Sequence, residues 1–167
     1  ACGGSAKTET ITLTVWGPQA DQGENGDGWL QAQCEAFDEA HPEWDITFEY
    51  GVCSEGDAAT KVPADVAAAA DVFMHANDQL GTLMAAEALA KLGGTYLDFV
   101  KNNYSATYSN SVTYKGEVYG FPMTCNTWFM YYNKKLVSDE DVKSLEKLLE
   151  KGTVAFPMTT AWYNGAF

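Results

Sequence analysis

No arginine occurs anywhere in the chain: all ten basic residues are lysine, set against 23 acidic residues for a formal net charge of -13. A nucleic-acid or anionic-membrane surface needs clustered positive charge, usually with guanidinium forks, so this balance excludes both as partners. Long hydrophobic runs are missing too, and nothing approaches the roughly 18 to 20 apolar residues that cross a bilayer as a helix. There are only four cysteines and two histidines. Cys2, Cys34, Cys53 and Cys125 are irregularly spaced and form no CxxC, while His41 and His75 stand apart, so the patterns that hold zinc are absent. A GxSxG elbow and a phosphate-cradling GxxxxGK[ST] are likewise missing. The order of abundance leaves three buried thiols as the expected state of Cys34, Cys53 and Cys125, with a Cys34 to Cys53 bridge as the alternative in an exported protein.

What is there is a globular composition. The chain has 167 residues, 46 % hydrophobic and 13 % aromatic, enough to bury a core. ACGGSAKTET, residues 1 to 10, is small and polar and reads as a flexible tether. ITLTVW (11 to 16) alternates with the period of a strand, and the Gly-rich acidic GPQADQGENGDG that follows must lie at a surface. WLQAQCEAFDEAH places Leu30, Cys34 and Phe37 on one helical face and stops at Pro42; DITFEY (45 to 50) is a second strand. The Ala-rich stretch from 55 to 70 is helical in propensity, and Pro63 is expected to split it into two short pieces. DVFM (71 to 74) reads as a third strand and DQLGTLMAAEALAKLGG as a helix closed by Gly93 and Gly94.

Further on, TYLDFVKNNYS is helical in pattern and VTYKGEVYGFP a hairpin turning at Lys115 and Gly116. TWFMYYN is too apolar for a surface strand. SDEDVKSLEKLLEKG predicts a helix capped by Ser138, with Leu145, Leu148 and Leu149 inward and Gly152 at its stop. TVAFP is a further candidate strand, and Trp16, Trp44 and Trp128 are expected in core positions. The aromatic, half-patterned ending TTAWYNGAF suggests a native chain that continues. Strands alternating with helices imply an α/β fold with a parallel sheet covered on both faces, whose ligands bind outside the carboxyl ends of the strands. GPQADQGENG and HANDQ both emerge there.

The sequence of motifs ITLTVW, the acidic loop, AFDEAHPEWDITFEY, DVFMHANDQLG, YKGEVYGFP and YYNKKL resembles the extracellular solute-binding proteins of carbohydrate ABC transporters, most closely the maltose/maltodextrin-binding branch. The resemblance implies a periplasmic-binding-protein-like (type II) two-lobe fold, three-layer α/β/α with a mixed sheet, of which mostly the first lobe is present. It places most of lobe 1 in residues 11 to 125 and the hinge crossing and start of lobe 2 in 126 to 167. It implies no enzyme activity and no cofactor. The expected partners are a malto-oligosaccharide, caught by hinge closure, and the permease subunits of the transporter. With Ala-Cys-Gly-Gly resembling the end of a lipoprotein signal, Cys2 is a candidate lipid attachment, which would put a monomer on the extracellular face of the bacterial membrane; a free thiol in a non-native leader is the alternative.

A pyranose presents hydroxyls at its rim and C–H patches on its faces, so carboxylates, amides and aromatic platforms must converge on it. By the resemblance, Asp78 accepts from sugar hydroxyls, with Asn77, His75 and Gln79 beside it. His75 stands where relatives often carry a stacking Trp, and Gln79 where they may carry Arg. Asp21 and Gln22 resemble the polar pair of the first loop, Asn126 falls where a glutamate stands near the hinge, and Trp162 with Tyr163 supplies second-lobe platforms. Each has a plainer reading: Asn77 or Asp78 as a helix cap, His75 as a structural residue, Asp21 and Gln22 in a solvated loop, Trp162 in a core. A glycoside hydrolase would need two carboxyls about 5 to 10 Å apart with one held protonated, whereas the polar surroundings of Asp21 and Asp78 would leave both ionised. The third reading keeps the fold and changes the ligand, to another oligosaccharide, a polyamine or a metal complex.

Overall fold

The computed structural model describes residues 9–125, 129–152, 154–155 and 159–160. Candidates Cys2, Asn126, Trp162 and Tyr163, and also Trp128, lie outside the described residues. The chain divides into two compact units, Ala1–Pro122 and Met123–Phe167.

In the first unit, β1 (Glu9–Gly17) is flanked by β2 (Trp44–Val52) and β3 (Val72–Phe73) in the order β2-β1-β3. Both pairings are parallel, with Leu13 opposite Phe48, Val15 opposite Tyr50 and Val72, and Trp16 opposite Gly51 and Phe73. Because side chains alternate along a strand, this register separates two faces. Leu13, Val15 and Phe48 share the face on which helix α2 (Trp29–Ala40) lays Leu30 and Cys34, and Met74 completes that core. Each large aliphatic buried there contributes about 1.5–3 kcal/mol. Trp16, Gly51 and Phe73 lie on the other face. Gly51 is needed there, since a Cβ on it would come within 2.5 Å of the Trp16 indole. Asp71 holds the short β3 in place by accepting the Thr14 amide at 2.8 Å.

α1 is a single turn (Gln19–Gln22), and α3 (Ala58–Ala64) follows β2. Pro63 does not divide the Ala-rich stretch into two helices: it sits in the last turn of α3, and an Asx turn from Asp65 to the Ala68 amide replaces the expected second piece. The helix predicted from 78 to 94 is also shorter. A 3-10 turn (Asn77–Gln79) leads into α4 (Leu80–Ala85), which ends at Glu87 in the left-handed conformation, φ 56°. The amides of Glu87 and Ala88 bond back to the carbonyls of Met84 and Leu83, the pattern of a Schellman cap. Gly93 therefore caps the start of α5 (Gly94–Asn103) rather than the end of α4. After α6 (Ala106–Ser111) comes an antiparallel hairpin, β4 (Thr113–Tyr114) and β5 (Glu117–Val118). Its turn residues Lys115 and Gly116 both have positive φ, 51° and 86°, as a type I′ turn requires. Val100, Val112 and Val118 form the second core of this unit.

Several burial expectations are corrected. Cys34 and Cys53 are buried and free, so no bridge joins them, but Cys125 is exposed. Phe37, 43 % exposed, lies on the sheet-distal flank of α2, where its ring meets His41 and Trp44 instead of the core. Trp16 and Trp44 are half-buried, the latter stacked on His41 at 4.6 Å.

In the second unit, a 3-10 turn (Asp141–Lys143) precedes α7 (Leu145–Lys151). Ser138 does cap, but it caps the 3-10 turn: its Oγ accepts the Asp141 amide while the Asp141 carboxylate accepts the Ser138 amide and hydroxyl. The α-helix starts six residues later because Ser144 is extended and its own Oγ accepts from the Lys147 amide. Leu148 is buried and Leu149 is 58 % exposed, since adjacent helical positions point about 100° apart. Of the aromatic run, Phe129 and Tyr131 are exposed, and of TVAFP only Val154 and Ala155 are described, neither in a strand.

Candidate functional site

Three connections leave the carboxyl ends of the parallel strands: Pro18–Gly28 after β1, Cys53–Asp57 after β2 and Met74–Gln79 after β3. Parallel pairing forces all three to one edge, which is where such sheets bind ligands. They are stitched together by backbone bonds. The Cys53 amide donates to the Gly17 carbonyl at 3.0 Å, and the Ala76 amide to the Glu55 carbonyl at 3.1 Å.

Two glutamines tighten the same junctions. Gln22 is buried, 6 % exposed, and its Nε2 donates to the carbonyls of Gly17 and Gly51, both at 2.9 Å. These bonds use both amide hydrogens and join the ends of β1 and β2. Gln79 accepts the Ala59 amide at 3.0 Å and donates to the Gly56 carbonyl at 2.5 Å, bracing the third connection against the second. As Ala59 lies in the first turn of α3, the Gln79 carbonyl satisfies one of the amides that a helix start leaves unpaired. The first loop is closed on itself by a bond from the Gly28 amide to the Gln22 carbonyl; a Cβ at Gly28 would fall 2.2 Å from the Gln22 carbonyl carbon. Only glycine permits that approach.

The remaining candidates are arranged differently. Asp21 is half-buried and Asn77 and Asp78 are exposed, and none of the three side chains makes a hydrogen bond to another described residue. The helix-cap reading of Asn77 and Asp78 is not met: Ala76 and Gln79 occupy the N-cap positions of the 3-10 turn and α4, and neither helix start receives a side-chain bond. His75 has Nδ1 at 2.9 Å from the Ala76 carbonyl, and its ring lies 6.1 Å from that of Phe73. A carbonyl only accepts, so Nδ1 carries the hydrogen and the neutral ring presents Nε2 as an acceptor. The edge therefore offers two carboxylates, an amide and an imidazole acceptor, a set suited to neutral hydroxyl-bearing ligands.

Behind this edge the thiols are quiet. Burial pushes the Cys34 thiol up, opposed by its hydrogen bond to Tyr50, and burial likewise raises Cys53. Tyr50 is pushed up to about 12, by desolvation first and by Cys34 second. Neutral thiols of this kind are poor nucleophiles. Among the described residues no group of three or more His, Cys, Asp or Glu is placed to hold a metal ion. The residues that sequence reasoning missed are Gly17, Gly51, Glu55 and Gly56, whose contribution is a carbonyl oxygen. Every residue has one, so no side-chain pattern marks them.

Comparison with known proteins places the chain. The family described as bacterial extracellular solute-binding protein matches residues 32–167. A maltotriose-binding protein of Pyrococcus abyssi (strain GE5 / Orsay) is 29 % identical over 121 residues, which are 72 % of this chain and 26 % of that protein. A structure solved with acarbose is 48 % identical with a TM-score of 0.83, over 94 % of this chain and 41 % of that one. The maltodextrin-binding protein MalE1 from L. casei BL23, solved without ligand, is 29 % identical with a TM-score of 0.72, over 92 % and 40 %. The chain thus spans well under half the length of these relatives.

Proposed function

Since this chain belongs to the bacterial extracellular solute-binding protein family, we propose that it is part of the sugar-binding component of an ABC transporter, taking maltose or maltodextrin-type oligosaccharides. Its fold is the type II periplasmic-binding-protein fold of its structural relatives. The observation that carries the reading is the sorting of side chains at the carboxyl edge: Asp21, Asn77 and Asp78 make no hydrogen bond to another described residue, beside an imidazole acceptor at His75. Relatives named for maltotriose and maltodextrin, and one solved with acarbose, support an α-glucan as the ligand.

In this proposal Asp78 and Asp21 accept from sugar hydroxyls, Asn77 donates and accepts, and His75 accepts through Nε2. Asn126, Trp162 and Tyr163 complete the site from the second unit, the two rings by stacking on sugar C–H faces. Closure about a hinge near residue 126 encloses the ligand, and the closed form is handed to the permease without a covalent step. Lipidation of Cys2 holds the protein at the extracellular face of the membrane; no helix among the described residues is long and apolar enough to cross it.

Asp78→Ala in the intact protein tests the site. Leaving sugar hydroxyls unpaired costs about 1–3 kcal/mol, a calorimetric affinity for maltotriose about 5- to 150-fold weaker. Unchanged affinity would remove Asp78 from the site, and release of glucose from maltotriose would replace transport with hydrolysis.

A further inference from the structure

The two glutamines at the carboxyl edge differ from every other candidate there in having their amides committed to backbone. We infer that Gln22 and Gln79 are positioning residues, which lock the three ligand-facing connections to one another and do not themselves touch the sugar. This rests on the functional reading above and assigns a division of labour within that site.

The geometry is specific. Gln22 has both amide hydrogens on carbonyls, and the two acceptors belong to different strands, Gly17 at the end of β1 and Gly51 near the end of β2. A sugar hydroxyl could take its Nε2 only by breaking a buried bond and leaving a strand-end carbonyl unpaired. Gln79 uses both ends of its amide, so it has no free donor hydrogen bond direction that is not shared with the Gly56 carbonyl, and its oxygen already serves the Ala59 amide. Between them they connect β1 to β2 and the third connection to the second. Asp21 is the neighbour of Gln22 and Asp78 of Gln79. The candidate contact residues are thus each one bond along the chain from a clamp.

An amide suits this task and a carboxylate or lysine does not, because each clamp must donate to a carbonyl and Gln79 must accept as well. The chain is acidic overall, and a neutral clamp also adds no charge beside Asp21 and Asp78. Pre-set loops lower the ordering cost of binding, so loss of a clamp should weaken the ligand without removing any contact to it.

The test uses the intact protein with Gln22→Met and Gln79→Met, and Gln79→Glu as the milder variant that keeps the acceptor for the Ala59 amide. Amide exchange is read by NMR in the ligand-free state, together with calorimetric binding of maltotriose. Expected is exchange at least tenfold faster at Cys53 in the Gln22 variant, whose amide shares the Gly17 carbonyl, and at Ala59 in Gln79→Met, with affinity at least tenfold weaker in both. Gln79→Glu should keep Ala59 protected and still bind more weakly. Weaker binding with unchanged exchange would make the glutamines direct contacts and overturn the inference. Faster exchange with unchanged affinity would overturn it as well, leaving purely structural bonds. A wild-type protein that ignores maltotriose overturns the functional reading alone, and unchanged exchange in the variants then overturns the clamps independently.

Discussion

Replacing Gly51 by Ala tests how the sheet and the site edge are coupled. Gly51 lies opposite Trp16 in the β1–β2 ladder, and a Cβ there would approach Cδ1 and Nε1 of the indole to 2.5 Å. Real carbon contacts of that length do not persist, so the indole must swing or the strands must part. Overpacking of this kind costs about 1–3 kcal/mol. The Gly51 carbonyl is also one of the two acceptors of Gln22, so parting the strands would loosen the first connection as well. The assay is urea unfolding of the intact protein for four forms: wild type, Gly51→Ala, Trp16→Val and the double variant. If the clash is the cause, the penalty of Gly51→Ala should vanish in the Trp16→Val background, giving a coupling energy of about 1–3 kcal/mol in the cycle. Maltotriose affinity should weaken in Gly51→Ala and recover in the double variant. An equal penalty in both backgrounds would refute the steric argument.

Other outcomes follow from the same structure. Glu87→Gly should stabilise the protein by about 1 kcal/mol, because a non-glycine residue in the left-handed conformation costs about 1–2 kcal/mol and φ is 56° at this helix end; a rise in the unfolding midpoint checks it. Leu83→Ala, at a side chain with 0 % exposure, should cost about 2–5 kcal/mol by denaturant titration. Tyr50 has a folded pKa of about 12 against an ordinary 10.0, so its contribution to stability is fully present below pH 10 and is lost as pH rises towards 12. Unfolding titrations across that window should show a steeper loss in wild type than in Tyr50→Phe. Ser144→Ala removes the side-chain cap of α7 and should cost about 0.5–2 kcal/mol, most of it local, read as faster exchange of the Lys147 amide.

The parts legible in the sequence are those where periodicity or backbone chemistry leaves one choice. β1 and β2 follow from strict alternation, the hairpin from Lys115–Gly116, and the α2 core from Leu30 and Cys34. Helix ends were harder to read. Nothing in AAEALAKL announces a stop, because the cap at Glu87 is made by backbone bonds to Met84 and Leu83, in a conformation that glutamate does not favour. The Gly93–Gly94 pair then drew the boundary to the wrong place. Ser138 and Ser144 are equally good caps by composition, and the extended backbone at Ser144 decides between them. At the site edge, the polar cluster of HANDQ and the acidic first loop pointed to the correct loops of the sheet, since parallel topology fixes where they meet. The difference between a glutamine committed to carbonyls and an aspartate without such a bond was invisible, because the partners are main-chain atoms of Gly17, Gly51, Gly56 and Ala59.

The most direct measurement is calorimetric titration of the intact protein with maltotriose, alongside xylo-, manno- and fructo-oligosaccharides and spermidine. Saturable heat with the α-1,4-glucan, weaker or absent with the others, and no glucose released is the predicted result. No heat with any α-1,4-glucan, or saturation only by spermidine, would contradict the account.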